Sequence, residues 1–283
     1  MSTRRRLDAE LVRRGLAPSR ERAQADIAAG RVTVGGAPAT KPARLVDAGE
    51  AVVVHGPPPR FVSRAGAKLQ GAIDRFGLGP LFVDARVLDC GASTGGFTDC
   101  ALQQHAAEVV AVDVGHNQLH ERLRADPRVR NVERTNLRML DPAVVGEPVD
   151  VVVGDLSFIS LRLVLEPVFA AARPGAPYAF LVKPQFEAGR SEAARGRGII
   201  TEPLIWRRVL DEVATALHDR GATIMGAMLS PLTGSDGNVE FVLVGRCPGG
   251  RSPIVGRPAL TGSALAAELD DAVTVAAQSG EEA

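Results

Sequence analysis

Val87-Leu88-Asp89-Cys90-Gly91-Ala92-Ser93-Thr94-Gly95-Gly96-Phe97 is the stretch on which the fold turns. A short apolar run leads into an acid, then into three glycines within six residues. That is the order of a buried strand, a tight turn and the start of a helix. Further apolar runs recur at 109–112, 149–153, 178–182, 222–228 and 239–244, with amphipathic stretches such as 160–172 and 203–220 between them. Strands alternating with helical segments predict an α/β domain whose mostly parallel sheet is covered by helices on both faces. Such sheets bind ligands beyond the carboxyl ends of their strands. The residues that follow each run are therefore the candidates for chemistry.

The glycine turn is compatible with several ligand classes. A phosphate-binding P-loop needs a lysine directly after its last glycine; Gly91 and Gly96 have the spacing, but Phe97 stands in that place. A dinucleotide loop needs a middle glycine so that backbone can approach a pyrophosphate; here that position is Ser93. S-adenosyl-L-methionine has no phosphate but carries a bulky sulfonium and a zwitterionic end. The turn of Gly91, Ser93, Gly95, Gly96 and Phe97 leaves room for it, and Asp89 can meet its cationic amine. The second run ends at Asp113, 24 residues after Asp89, where an acid can accept from two ribose hydroxyls. A purely structural turn in an α/β fold fits the same residues.

Charges stand at several strand ends. Lys183 follows the run 179–182, Asp155 follows 151–154, Glu240 opens the last run, and Lys68 lies just before the sheet in Ser63-Arg64-Ala65-Gly66-Ala67-Lys68-Leu69. Any one of these reads as an ordinary snorkelling or paired charge. Four at one rim read as a catalytic group.

The front of the chain differs. Residues 1–64 hold 12 Lys/Arg against six acids, whereas the whole chain holds 33 of each. A basic module on a neutral protein points to a nucleic-acid partner. Leu7, Leu11 and Val12 are spaced for a helix ending near Gly15. Ser19 is placed to cap a second helix, with Ala23, Ile27 and Ala28 on one face and Gly30 as its stop. Short strands follow at Val32, Val34 and 52–54, and His55-Gly56-Pro57-Pro58-Pro59 forms a stiff connector. The expected organisation is a basic domain at 1–59, a linker at 60–64, an α/β domain at 65–262 and an acidic helical tail at 263–283. The three cysteines (Cys90, Cys100, Cys247) and five histidines show neither disulfide nor metal-ligand spacing, so no metal is expected. No apolar run has the length of a membrane span and no leader-like segment opens the chain; the expected location is the cytoplasm.

Two resemblances sharpen this reading. Two helices with arginines followed by Gly-Arg-Val-Thr-Val-Gly-Gly resemble the S4 RNA-binding domain. That resemblance implies a small α+β module and phosphate contacts from Arg4, Arg6, Arg20 and Lys41. The set Lys68, Asp155, Lys183, Glu240 is similar to the K-D-K-E tetrad of FtsJ-like ribose 2′-O-methyltransferases. The strings SRAGAKL, DCGASTGGFTD, AVDVG, ERTN, GDLSFISL, LVKPQFE and GNVEF resemble the TlyA family, sometimes called hemolysin A, over residues 4–246. The resemblance implies a Rossmann-like class I methyltransferase fold with a seven-stranded sheet, S-adenosyl-L-methionine as cofactor, and cytidine 2′-hydroxyls of 16S and 23S ribosomal RNA as substrate. The protein is expected to be a cytoplasmic monomer acting on ribosomal subunits, with Lys183 as base or hydrogen-bonding activator. Asn136 is expected on the adenine side, and Arg60, Arg64 and Arg195 on RNA phosphates. The segment 189–198 is expected to be a loop over the substrate. Phe61 stands in the linker where the family leads one to expect tryptophan or tyrosine. The competing readings are a non-catalytic ribosome-assembly factor with a methyltransferase fold, a membrane-active cytolysin, and a dehydrogenase. The intact tetrad, the lack of a cationic amphipathic helix with aromatic anchors, and Ser93 respectively argue against them.

Overall fold

The computed structural model describes residues 4–17, 19–57, 59–189, 192, 196, 198–250 and 254–281. Contacts divide the chain into two compact units, Met1–Arg60 and Phe61–Ala283.

The first unit runs β1 (Arg5–Arg6), α1 (Leu7–Arg13), α2 (Arg20–Ala28), β2 (Val32–Val34), β3 (Ala37–Pro38), β4 (Leu45–Val46) and β5 (Val52–Val54). Ser19 caps α2 as its position predicts, its Oγ accepting from the Arg22 amide at 3.2 Å. Gly15 and Gly30 follow the two helices at φ +68° and +69°, the left-handed turn that ends a helix most cheaply on glycine. Leu7, Leu11, Ala23, Ile27, Val32, Val34, Val46 and Val52 form one apolar cluster. The expected apolar face of α2 needs one correction. Ala28 is exposed, and Asp26 takes a buried place beside Ile27. Asp8 and Glu10 of α1 are buried as well.

The second unit holds β6 (Arg86–Cys90), β7 (Glu108–Val112), β8 (Val129–Val132), β9 (Val151–Gly154), β10 (Pro177–Val182), β11 (Thr223–Leu229) and β12 (Phe241–Arg246). Its helices are α3 (Ala65–Phe76), α4 (Gly96–Gln103), α5 (Glu121–Arg124), α6 (Pro142–Val145), α7 (Leu165–Ala170), α8 (Pro184–Glu187), α9 (Pro203–Asp219) and α10 (Gly262–Glu281). The sheet order is β11-β12-β10-β9-β6-β7-β8. Only β12 runs against its neighbours. This is the mostly parallel, seven-stranded sheet that the family resemblance implies.

Inner strands are buried on both faces, which is why they read as unbroken apolar runs. Along β10, Tyr178, Phe180 and Val182 join one core with α7, α9 and α10. Ala179 and Leu181 join the other with α3 and α4. Strand β8 has no counterpart among the apolar runs. It is an edge strand reading Val-Arg-Asn-Val with its middle two residues exposed. The expected helix at 160–172 is a short 3-10 turn, Leu161–Leu163, followed by α7. The tail helix continues to Glu281.

Candidate functional site

Strand β6 lies at the switch point of the sheet, between β7 on one side and β9 on the other, parallel to both. Its neighbouring connections leave in opposite directions and open a crevice beyond the strand ends. Gly91 turns there at φ +83°. A Cβ on it would lie 2.9 Å from the Asp155 carbonyl oxygen and 3.0 Å from Leu156 Cδ2, so both the backbone angle and the space require glycine. Ser93 is also left-handed at φ +47°, and Gly95 at +97° hands the chain to α4.

The crevice is open to solvent. Gly91, Ala92, Ser93, Thr94 and Phe97 form one wall. Asp155, Ser157 and Lys183 form another, and Ser63 and Ala65 close the side. Asp89, on β6 two residues before Gly91, is not among the lining residues and is wholly buried. Its Oδ2 accepts from Thr98 Oγ1 at 2.6 Å, while Oδ1 accepts from no described group. Burial, opposed by the Thr98 bond and reinforced by the charges of Asp155 and Asp113, pushes this carboxyl up to about 7. A buried acid with one unpartnered oxygen, next to a glycine turn, fits a ligand that brings a cation.

The tetrad assembles as two ion pairs. Lys183 Nζ lies 2.6 Å from Asp155 Oδ1 and donates to Ser157 Oγ at 2.9 Å. Lys68 Nζ donates to Glu240 Oε2 at 2.5 Å. Lys68, Lys183 and Glu240 are all buried. Burial raises the Glu240 carboxyl, and the charges of Lys68 and Lys183 draw it back. Lys183 and Asp155 line the crevice; Lys68 and Glu240 do not, though the Lys183 charge acts on Glu240. Two positions refine the sequence reading: Lys68 is carried by α3, and Glu240 precedes β12 rather than opening it.

The FtsJ-like methyltransferase family profile matches residues 61–247, and that of the S4 domain matches residues 5–52. The 16S/23S rRNA (cytidine-2′-O)-methyltransferase TlyA of Mycobacterium tuberculosis is 47% identical over 244 residues, 86% of this chain and 90% of that one. The chain belongs to the TlyA family of FtsJ-like methyltransferases. YqxC of Bacillus subtilis, described as a candidate rRNA methyltransferase, is 44% identical over 88% of each chain. A solved structure of a candidate hemolysin from Streptococcus thermophilus superposes with a TM-score of 0.76 at 35% identity, covering 100% of this chain and 98% of that one. Among the described residues, no helix is long and apolar enough to cross a membrane.

Other residues of this TlyA-family site fall as follows. Asp113 stands directly after β7. Its two carboxylate oxygens accept from the Ser93 amide at 2.8 Å and the Gly115 amide at 2.6 Å, which ties the glycine turn to the second strand. Asn136 is exposed on the turn after β8, where its Oδ1 caps the Arg138 amide at 3.0 Å; it is not among the crevice-lining residues. Arg4 and Arg6 precede α1 rather than lying on it. Arg4 pairs with Asp47 at 3.1 Å, while Arg6 and Arg20 both pair with Asp8 at 2.9 Å. Lys41, Arg60 and Arg64 are exposed. Arg195 and much of 189–198 lie outside the described residues.

Three residues escaped the sequence reading. Ser157 holds Lys183. Phe158 is 92% exposed at φ +64°, a left-handed angle that is strained for an aromatic residue. Its ring lies 5.2 Å from that of Phe186, over which the Lys183 amine sits at 5.8 Å. Glu187 is buried and accepts from Ser160 Oγ at 2.5 Å and the Leu161 amide at 2.6 Å. It thereby ties the loop after β9 to the segment after Lys183. The signal was present in the strings: polar and aromatic residues placed immediately after strand-end charges.

Proposed function

We propose that this protein transfers a methyl group from S-adenosyl-L-methionine to the ribose 2′-hydroxyl of cytidine in 16S and 23S ribosomal RNA, in the cytoplasm. The carrying observation is the Lys183 amine, held by Asp155 and Ser157 at the mouth of a crevice built around a glycine turn. The TlyA relative acts on that hydroxyl class by its name. The methyltransferase domain is assigned to 65–262, with 263–283 as its tail.

When bound, S-adenosyl-L-methionine supplies an electrophilic methyl group on a sulfonium. The turn from Gly91 to Phe97 would make room for it, Asp89 would meet its amine and Asp113 would hold its ribose. A 2′-hydroxyl is a poor nucleophile because its proton is tightly held. An amine has three positions around nitrogen besides its carbon. Ser157 takes one N–H and Asp155 pairs with the amine, and the lone pair of the neutral amine would be left for the incoming hydroxyl. In its uncharged form Lys183 Nζ would take the 2′-hydroxyl proton, while the methyl group would come from the cofactor through cleavage of its C–S bond, with the neutral thioether as leaving group. Lys68 and Glu240, paired behind, hold that arrangement in a buried setting. Labelled-methyl transfer to isolated subunits tests the reaction class.

Two predictions arise here. Asp89 carries a proton below about 7 and must lose it to meet a cation. S-adenosyl-L-methionine binding is therefore expected to tighten as pH rises from 6 to 7.5, with a proton released on binding. Titration calorimetry in buffers of differing ionisation enthalpy reads this. Asp89→Asn is expected to bind more weakly and to flatten the profile; an unchanged slope in that variant removes the assignment. Phe158 presents a ring to solvent beside Phe186, as a surface on which a nucleobase stacks. Phe158→Ala is expected to lower kcat/KM for RNA ~10- to 100-fold, the scale of one base–aromatic contact of ~1–3 kcal/mol. Cofactor affinity measured alongside is expected to stay within twofold; an unaltered kcat/KM contradicts the stacking role.

A further inference from the structure

The first unit sinks negative charge beneath positive charge. Asp8, Glu10 and Asp26 are buried, at 0%, 1% and 3% exposure. Each is covered by two arginines: Arg6 and Arg20 on Asp8, Arg13 and Arg14 on Glu10, Arg22 and Arg31 on Asp26. A carboxylate withdrawn from water requires such partners. The three clusters are not equivalent. Arg14 is 19% exposed and also donates to the backbone oxygens of Asp47, Ala48 and Glu50, so it fastens the fold. The arginines on Asp8 are the most exposed set, at 47% and 58%.

Asp8 is saturated with donors. Arg6 forks onto it through Nε at 3.1 Å and Nη2 at 2.9 Å. Arg20 Nη2 reaches Oδ2 at 2.9 Å and Gln24 Nε2 at 3.0 Å, and the Ala9 amide reaches Oδ1 at 2.8 Å. Arg6 precedes α1 and Arg20 opens α2, so one buried anion joins guanidinium groups from two segments. A guanidinium has five N–H donors, and on Asp8 Arg6 uses two and Arg20 one. The half-exposed remainder stays available to a partner.

We propose that Asp8 is a positioning residue for RNA, holding Arg6 and Arg20 side by side as a preformed seat for the phosphate backbone. The proposal rests on the RNA-substrate reading above. Two long side chains ordered before binding lose less rotamer entropy when the RNA arrives. The Arg6 hydrogen bonds hold the Asp8 carboxyl well below the usual carboxylate range, so the anchor stays charged at any working pH.

The test exploits opposite signs. Asp8→Asn and Asp47→Asn each remove one negative charge from the same basic unit. If charge alone matters, both variants bind RNA more tightly. The full-length protein is titrated against an rRNA transcript by filter retention at several salt concentrations, and methyl transfer to subunits is followed in parallel. Asp47, which pairs with Arg4 at the surface, is expected to give binding equal to or tighter than wild type when changed to Asn. Asp8→Asn is expected to bind about tenfold more weakly despite its added charge, with a rise in KM for subunits that exceeds any fall in kcat. Asp8→Asn binding as tightly as wild type or tighter overturns the proposal. Should a thermal melt show that Asp8→Asn does not fold, Arg6→Lys serves: it keeps the charge but loses the fork. Several-fold weaker binding by Arg6→Lys supports the role, and unchanged binding overturns it. Wild type that binds S-adenosyl-L-methionine but no RNA removes the RNA reading and this proposal together. Wild type that methylates RNA beside an unimpaired Asp8→Asn removes only the proposal.

Discussion

Lys183→Ala is expected to lower methyl transfer about a thousandfold, within the ~10²–10⁴ range of a positioned acid–base group, while cofactor affinity stays within a few-fold of wild type. The expectation follows from where the amine stands. Asp155 at 2.6 Å and Ser157 at 2.9 Å hold it, and all three residues line the crevice. Half of the crevice lining comes from the glycine turn, which the substitution does not touch. Single-turnover transfer with saturating RNA reads the chemical step, and equilibrium dialysis reads the cofactor. Lys183→Arg refines the role. A guanidinium keeps the charge and donates hydrogen bonds, but it cannot accept the proton at working pH. If Lys183 is the base, Arg is nearly as inactive as Ala. If the lysine only orients the hydroxyl, Arg retains a substantial fraction of the rate. Activity of Lys183→Ala within tenfold of wild type removes the mechanism altogether.

The second large effect concerns stability. Glu240→Ala would leave the Lys68 ammonium in a site where the lysine is only 7% exposed, with its 2.5 Å partner gone. Removing one member of a buried ion pair costs about 3–5 kcal/mol, or roughly 10 °C in melting temperature for a unit of this size. The double change Lys68→Met with Glu240→Leu removes both charges and fills the space. It is expected to recover most of that stability, yet to transfer methyl groups poorly, because the pair that backs Lys183 is lost. Scanning calorimetry on the three proteins, beside a transfer assay, separates the two roles. A Glu240→Ala protein that melts with wild type contradicts the buried pair. A double variant with full activity shows that the pair serves packing alone.

The parts of this molecule that sequence reveals are those that one local pattern controls. The strand-end positions of the glycine turn, the acids at 89 and 113 and the lysine after 179–182 were readable because a doubly covered parallel sheet makes its strands unbroken apolar runs that end where the strands do. The cap of α2 was readable because Ser19 has one helical start within reach. Strand β8 was not, since an edge strand with exposed Arg130 and Asn131 has no apolar signature and draws its definition from β7. The misplacement of Ala28 has a related cause. Asp26 is buried because Arg22 and Arg31 neutralise it, and one of those comes from beyond the helix, outside any periodicity. The pairing within the tetrad was equally hidden. Lys68 and Glu240 are 172 residues apart, and only the sheet order tells which lysine meets which acid. Ser157 and Phe158 were passed over because a hydroxyl and an exposed ring after a strand look like loop residues until their neighbours are known.

The most direct test of the central claim is where the methyl group ends up. Isolated ribosomal subunits are incubated with methyl-labelled S-adenosyl-L-methionine and the protein, and the recovered RNA is hydrolysed in alkali. Alkaline cleavage needs a free 2′-hydroxyl, so a 2′-O-methylated nucleotide survives joined to its neighbour. The account predicts label in an alkali-stable dinucleotide whose first residue is cytidine. Label in ordinary mononucleotides would place the methyl on a base, and no label at all despite cofactor binding would leave a folded site without this reaction; either result contradicts the account.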